Sequence, residues 1–307
     1  MKYLITGAGQ ISTQLVRDLA SAGHEVTVLR RRDEAVTGAE TVAGDAADRD
    51  ALRAAATGAA ALFHCIHAPY SAPAWQRELP HREAAVMDVA AELGIPVVFP
   101  ESVYAFGLGA RDLAEDAPIA PVSPLGRVRA QLLEARAAHR ARTASVVASD
   151  LLGPTSSAQG SPMLTLVIAP VLQGRRAWAM GDPDAPHAIT YIPDLTRAML
   201  TAAPLASVGG TTLLAPTAPA RSQRQMATEA AAAASVAAKI TRIPAAAFAL
   251  GAPFSPTMRE LFRQRYLWNA PSELRPGRLT AEFGLHPTPW AKVLDEQTRG
   301  VRDIEAG

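Results

Sequence analysis

The chain has 307 residues, 49% of them apolar and 19% charged, with 30 Lys+Arg against 29 Asp+Glu and a formal net charge of +1. This is the composition of a globular protein rather than a disordered one, and the charge balance gives no electrostatic footprint for nucleic acid or an anionic membrane. The single cysteine, Cys65, excludes an internal disulfide and a multi-cysteine zinc site, and no metal site is expected.

Short apolar runs alternate with amphipathic stretches through the first half. Tyr3-Leu4-Ile5 reads as a strand, followed by a helix over 10–22 with Ile11, Leu15 and Leu19 on one face. Val26–Leu29, Thr41–Ala43, Ala61–Ile66, Val97–Phe99 and Ser145–Ala148 read as further strands, with helices over about 75–93 and 123–141. Such alternation specifies a parallel sheet covered on both faces. Beyond about residue 153 the pattern loosens. Ala227–Ala238 reads as a closely packed helix, and 215–307 as a small cap anchored by Phe262, Tyr266, Trp268 and Trp290. The three-residue apolar run before Gly7 is too short for a signal peptide, and Met163–Leu172 is too short and interrupted to span a bilayer. The expected setting is therefore soluble and cytoplasmic.

Thr6-Gly7-Ala8-Gly9-Gln10-Ile11-Ser12 lies between the first strand and the first helix. Gly7 allows a tight turn and Gly9 lets the backbone approach a pyrophosphate at the helix N-terminus. Thr6, Gly7, Gly9, Gln10 and Ile11 are thus candidate dinucleotide-binding residues. The second strand ends in Leu29-Arg30-Arg31-Arg32, where an NAD site usually carries an acid. Guanidinium groups at Arg30 and Arg31 suit a 2′-phosphate, favouring NADP(H) over NAD(H). The competing explanation is a solvated arginine cluster. Asp45 and Ala46, after the third strand, stand where adenine would be contacted.

Several segments together resemble the extended and atypical short-chain dehydrogenase/reductases, the NAD(P)-dependent epimerase/dehydratase group. Thr6–Ser12 is similar to their glycine turn, and Leu62–Ala68 to the strand that backs the cofactor. Glu101-Ser102-Val103-Tyr104-Ala105-Phe106-Gly107 resembles their Ser-Ser-x-x-Val-Tyr-Gly, and Ser123–Arg129 their Ser-Pro-Tyr-Gly-x-x-Lys. Ser149–Pro154 resembles the segment reaching the nicotinamide, and Tyr191–Leu195 the signature near the start of a later helix. The resemblance implies a Rossmann-type, doubly wound α/β fold. The expected division is an NADP-binding domain over 1–152, rejoined by about 178–212, and a smaller substrate cap from 153–177 and 213–307. A homodimer through the outer helices of the sheet domain is common in the family.

The resemblance also exposes a departure. The family's proton-transferring tyrosine is Leu125 here, its lysine is Arg129, and its serine is Ser102. Only three lysines exist (Lys2, Lys239 and Lys292), and none lies four residues after a tyrosine. Arginine cannot serve as a base. Candidates for the chemistry are Ser102, Tyr104 beyond the fifth strand and His67 beyond the fourth, with Arg129 expected beside the cofactor ribose. Tyr70, Tyr191 and His187 are weaker candidates. Asp194 is expected to cap a helix, and Cys65 to be an inert buried thiol. Three functions fit: an NADP(H)-dependent oxidoreductase on a small, partly hydrophobic carbonyl or alcohol, a redox-neutral isomerase, dehydratase or cyclase, or a non-enzymatic NADP(H)-binding regulator.

Overall fold

The computed structural model describes residues 1–158 and 160–306, with side chains through residue 300. The expected alternation forms as β1 (Lys2–Thr6), α1 (Gln10–Ser21), β2 (Glu25–Arg30), β3 (Glu40–Ala43), α2 (Arg49–Ala56), β4 (Ala59–His64), α3 (Ala72–Leu93), β5 (Val97–Ser102), α4 (Pro124–Ala138) and β6 (Thr143–Ala148). Local chemistry sets the boundaries. Asp48 caps α2 by accepting the N–H groups of Asp50 and Ala51, and the Ser123 hydroxyl caps α4 by accepting the N–H of Gly126. Gly94 ends α3 in the left-handed conformation, at φ +70°.

The strands pair in parallel in the order Thr211–Leu214, β6, β5, β4, β1, β2, β3. On one face, Leu15, Val16 and Leu19 of α1 and Leu195 and Met199 of the helix Ile192–Ala202 pack against Ile5, Val28, Phe63 and Val98. On the other, Leu52 of α2 and Val86 and Val89 of α3 cover Leu4, Leu29, Leu62 and Val97. This is the doubly wound Rossmann-type α/β fold. Its strand order reverses between β1 and β4, which opens a crevice at their C-terminal ends.

The remainder forms a cap of short strand pairs and helices. Ala177–Ala179 pairs with Ile240–Arg242, and Pro186–His187 with Arg221–Ser222. The helices Gln223–Ala234, Ala245–Gly251, Pro256–Arg263 and Trp290–Ala306 complete it. The crossing points differ from those expected by several residues. The chain is still in the cap at 177–179, returns to the sheet side at Ile189–Tyr191 beside Asp150–Leu152, and stays through the edge strand to Leu214. Among the described residues no helix is long and apolar enough to cross a membrane.

A buried ionic cluster joins the layers behind β5. Arg136 of α4, 2% exposed, donates from Nε and Nη2 to both oxygens of Glu83 on α3, each at 2.7 Å. Its Nη1 donates to Glu101 of β5 at 2.8 Å and to the Ser145 hydroxyl of β6 at 2.9 Å. The guanidinium also lies 4.1 Å above the Phe99 ring. Burial works against its charge, but Glu83 and Glu101 outweigh that and hold its pKa above the ordinary arginine value. Replacing one partner of such a pair strands the other charges in a dry interior. Arg136→Leu is therefore expected to lower unfolding stability by about 3–5 kcal/mol, read as a shift of the denaturant midpoint. An unchanged midpoint would show that Glu83 and Glu101 do not depend on it.

His64 gives a second expectation. It is buried at the end of β4, its Nδ1 2.7 Å from the Thr6 hydroxyl and its Nε2 without a partner. Burial, then the charges of Arg136, Arg82 and Arg129, lower its pKa from 6.5 to about 3. The unfolded chain thus binds a proton that the folded chain refuses between those values, so stability falls as pH drops through that window. His64→Asn should flatten the dependence of the urea midpoint on pH between 6.5 and 3. An identical slope in the variant would refute this.

Candidate functional site

At the mouth of the crevice, Gly7 adopts φ +90°, and a Cβ there would lie 3.1 Å from Ile66 Cγ1 and 3.3 Å from the Cys65 carbonyl oxygen. Gly9 precedes α1, and no side chain caps this helix. A Cβ on Gly9 would meet nothing within 4 Å. The turn therefore presents the free N–H groups of a helix start to open space, which suits a pyrophosphate. Ile11 is half-buried against the core. The Thr6 hydroxyl points inward to His64 rather than toward the turn. Gln10 spans to a segment of the cap side: its Nε2 donates to the Gly160 carbonyl at 3.2 Å, its Oε1 accepts the Ser157 N–H at 3.1 Å, and its carbonyl accepts from the Thr155 hydroxyl at 2.8 Å.

Arg30 ends β2 with its side chain 18% exposed, bonded to the Glu34 carboxylate at 2.6 Å and the Glu34 carbonyl at 3.1 Å. Arg31 beside it is exposed. The Asp45 carboxylate accepts the Ala47 N–H at 3.0 Å, and the Ala46 side chain is buried with Leu29 and Leu52. Any adenine contact at Ala46 is thus confined to its backbone.

The structure brings His67 and Arg129 together. Arg129 Nη2 donates to His67 Nε2 at 3.1 Å, and His67 Nδ1 lies 2.7 Å from the Ala68 carbonyl. A guanidinium only donates and a carbonyl only accepts, so the ring carries its proton on Nδ1 and has no free nitrogen. Desolvation by its surroundings, then the Arg129 charge, lowers the His67 pKa to about 4. The ring edge open to solvent screens part of that effect, and the imidazole is neutral at pH 7. In this geometry His67 holds Arg129. Arg129 itself is buried, 4.7 Å above the Trp75 ring and 3.5 Å from Glu101 Oε1. It pairs with Glu101 rather than Glu134, and its Nε makes no hydrogen bond.

Leu125, at the position of the family's tyrosine, is 0% exposed and packs with Trp75, Val128 and Leu132. Ser102 ends β5. Its backbone N–H donates to Glu101 Oε1 at 2.7 Å, and its hydroxyl makes only a long 3.5 Å contact there. It precedes the 3₁₀ segment Val103–Asp112 without capping it by its side chain, which leaves the hydroxyl available. Tyr104, two residues on, is half-buried and stacks on Trp75 at 6.2 Å and 14°. Its hydroxyl lies 3.0 Å from that of Tyr70. Burial, then the charge of Asp150, raises the Tyr104 pKa well above the ordinary phenol value, so the phenol stays protonated. Gly107 sets this loop with φ +52°, where a Cβ would fall 2.2 Å from the Ala120 carbonyl oxygen.

Other sequence candidates settle elsewhere. His187 is buried, bonded to Asp150 and stacked on Trp268 at 4.1 Å. The Tyr191 hydroxyl bonds to Glu296. Asp194 does not cap its helix, since the N-cap is Tyr191. Its buried carboxylate instead accepts from the Thr288 N–H at 2.6 Å and the Thr288 hydroxyl at 2.8 Å, pinning the C-terminal segment. Cys65 is half-buried, and burial pushes its thiol up to about 12. Phe254 of the cap is 89% exposed. A surface hollow of about 540 Å³ at the opposite ends of the strands is lined by Tyr3, Asp18, His24 and Arg142, none of them a candidate. Sequence reasoning gave no role to Glu101 or Trp75. The usable signal for Glu101 was a charged residue inside an apolar strand.

Residues 3–212 match the model of the NAD dependent epimerase/dehydratase family. A search of curated proteins finds no match. Among solved structures, the chain is similar to UDP-glucose 4-epimerase of Thermotoga maritima with UDP-glucose (TM-score 0.78, 15% identity, covering 99% of this chain and 100% of that one). It is similar also to UDP-glucose 4-epimerase of Thermus thermophilus in complex with NAD (0.75, 18%, 98% and 99%), and to MoeE5 in complex with UDP-glucose and NAD (0.76, 18%, 99% and 100%). At these identities the likeness is one of fold. Glycine turn, strand order and sequence match agree: the chain belongs to the NAD dependent epimerase/dehydratase family.

Proposed function

We propose that the protein is an NADP(H)-dependent reductase of a small, partly hydrophobic carbonyl compound, with Tyr104 as proton donor. The observation that carries this reading is the Tyr70–Tyr104 hydroxyl pair beside Ser102, in a site whose usual donor position is filled by Leu125. A reduced nicotinamide bound beyond the glycine turn supplies a hydride. The chain does the rest. The Ser102 hydroxyl donates a hydrogen bond to the carbonyl oxygen and orients it. Tyr104 gives its proton to that oxygen as negative charge develops there. The Tyr70 hydroxyl returns a proton to Tyr104 and takes one from solvent in the same relay, so neither phenol is left ionised. A phenol whose ionisation is suppressed is held in the protonated form that can donate to a developing alkoxide, and its phenolate, the form that would accept from an alcohol, is scarcely populated. Arg129, held by Glu101 and His67, positions the walls of the site and takes no proton.

Arg30 and Arg31 support NADP(H), since both guanidinium groups stand at the end of β2, where a 2′-phosphate would lie. Arg30 would share the phosphate with Glu34 or leave Glu34 for it. The structural neighbours favour a second reading, redox-neutral epimerisation with NAD. That chemistry begins with removal of an alcohol proton, and the carboxylates that face the tyrosine pair, Asp150 and Glu260, are already bonded to His187 and Arg263.

Two measurements test the reading. In fluorescence titration NADPH should bind more tightly than NADH. Arg30→Ala and Arg31→Ala should each weaken NADPH by about tenfold, the value of one charge-assisted contact, and leave NADH unchanged. Equal binding of both cofactors would remove the arginine argument. With a carbonyl panel followed at 340 nm, Tyr104→Phe should lower kcat by about 10²-fold without altering NADPH affinity. Unchanged turnover would dismiss Tyr104, and product formation without net NADPH consumption would favour the redox-neutral reading.

A further inference from the structure

The cap helix Pro256–Arg263 and its C-cap residue carry two buried polar side chains whose hydrogen-bonding capacity is largely unused. Glu260 is 2% exposed, and Gln264, one turn further on, is 1% exposed. Residues four apart on a helix share a face. Glu260 Oε1 accepts from Arg263 at 3.0 Å and lies 3.5 Å from the backbone N of Ala72. Its Oε2 has no partner, and neither the oxygen nor the nitrogen of the Gln264 amide has one. Buried polar groups in native proteins are paired almost without exception, because each left unpaired forfeits its hydration. Three such atoms fall on these two neighbouring side chains, a concentration of unused donors and acceptors that a polar ligand would pair.

That place borders the reacting groups. Ala72 follows Tyr70 by two residues, and Tyr70 is the hydroxyl paired with Tyr104. The ionisation of Tyr70 is suppressed by burial first, then by Tyr104 and by the negative charges of Asp150 and Glu260.

We propose that Glu260 and Gln264 form a substrate subsite that holds an uncharged, hydroxylated part of the molecule. A hydroxyl is the group that donates and accepts at once. It can give its proton to Glu260 Oε2 and accept from Gln264 Nε2, while Gln264 Oε1 takes a neighbouring hydroxyl. Arg263 already balances the charge of Glu260, so no cationic ligand is required. An anionic group would meet two carboxylates, Glu260 and Asp150. The assignment rests on the reading of this cleft as a substrate site.

The test is equilibrium binding by saturation-transfer NMR on the full chain, with cis-cyclohexane-1,2-diol as probe and cyclohexanone as its hydroxyl-free counterpart. The diol should bind at least about fivefold more tightly than the ketone, the contribution of one net hydrogen bond. Gln264→Leu should abolish that preference. The nearly isosteric Glu260→Gln, which keeps the helix packing, should reduce it while leaving the ketone unaffected. Equal binding of diol and ketone in the unaltered protein, or a preference untouched by Glu260→Gln, means that the cluster holds buried water only and overturns the proposal. The measurement needs no turnover, so a diol that binds in a protein that consumes no NADPH defeats the reductase reading and leaves this subsite standing.

Discussion

The arrangement of the candidate site depends on a guanidinium that never reaches it. Arg136 sits in the interior and ties α3, α4, β5 and β6 through Glu83, Glu101 and Ser145. It takes one oxygen of Glu101 and leaves the other to hold the backbone of Ser102 and to face Arg129. Arg129 in turn fixes the tautomer of His67. Two arginines and two glutamates balance in charge, so the set can be buried without an unpaired ion. The position of Ser102, and of the loop that carries Tyr104, is therefore anchored from behind by electrostatics as well as by the β5 backbone.

The same anchoring reaches Leu125 and Arg129 on α4. Both are put to structural use. Leu125 joins Trp75, Val128 and Leu132 in a small apolar cluster, and Arg129 lies over the same Trp75 ring. Trp75 also supports Tyr104. This helix face thus forms a floor beneath the Tyr104 ring.

Much of the fold is legible in the sequence because it is local. The strands are apolar runs, α1 has its period, and the glycine turn sits where strand meets helix. Helix α2 escapes such reading, since Leu52 is its one large apolar residue and its start depends on the cap at Asp48. The site is less legible because its decisive contacts join distant residues. His67 and Arg129 are 62 positions apart, and Tyr70 and Tyr104 are 34 apart. The sequence marks each as a plausible site residue, but not that His67 meets Arg129 or that Tyr70 meets Tyr104. Asp194 shows the same limit: an acid at a helix start reads as a cap, yet its partner is Thr288, 94 residues on.

The bonds made by Gln10 bear on the order in which the molecule assembles. Thr155, Ser157 and Gly160 meet it across 145 to 150 residues of chain. The helix behind the glycine turn can form early, since helix formation is local and fast, whereas contacts of such sequence separation come late. During synthesis the turn is made almost first, but its outer wall is missing until residue 160 has been added. The nucleotide groove is therefore begun by the first dozen residues of the chain and finished only after the sheet's central strands are in place.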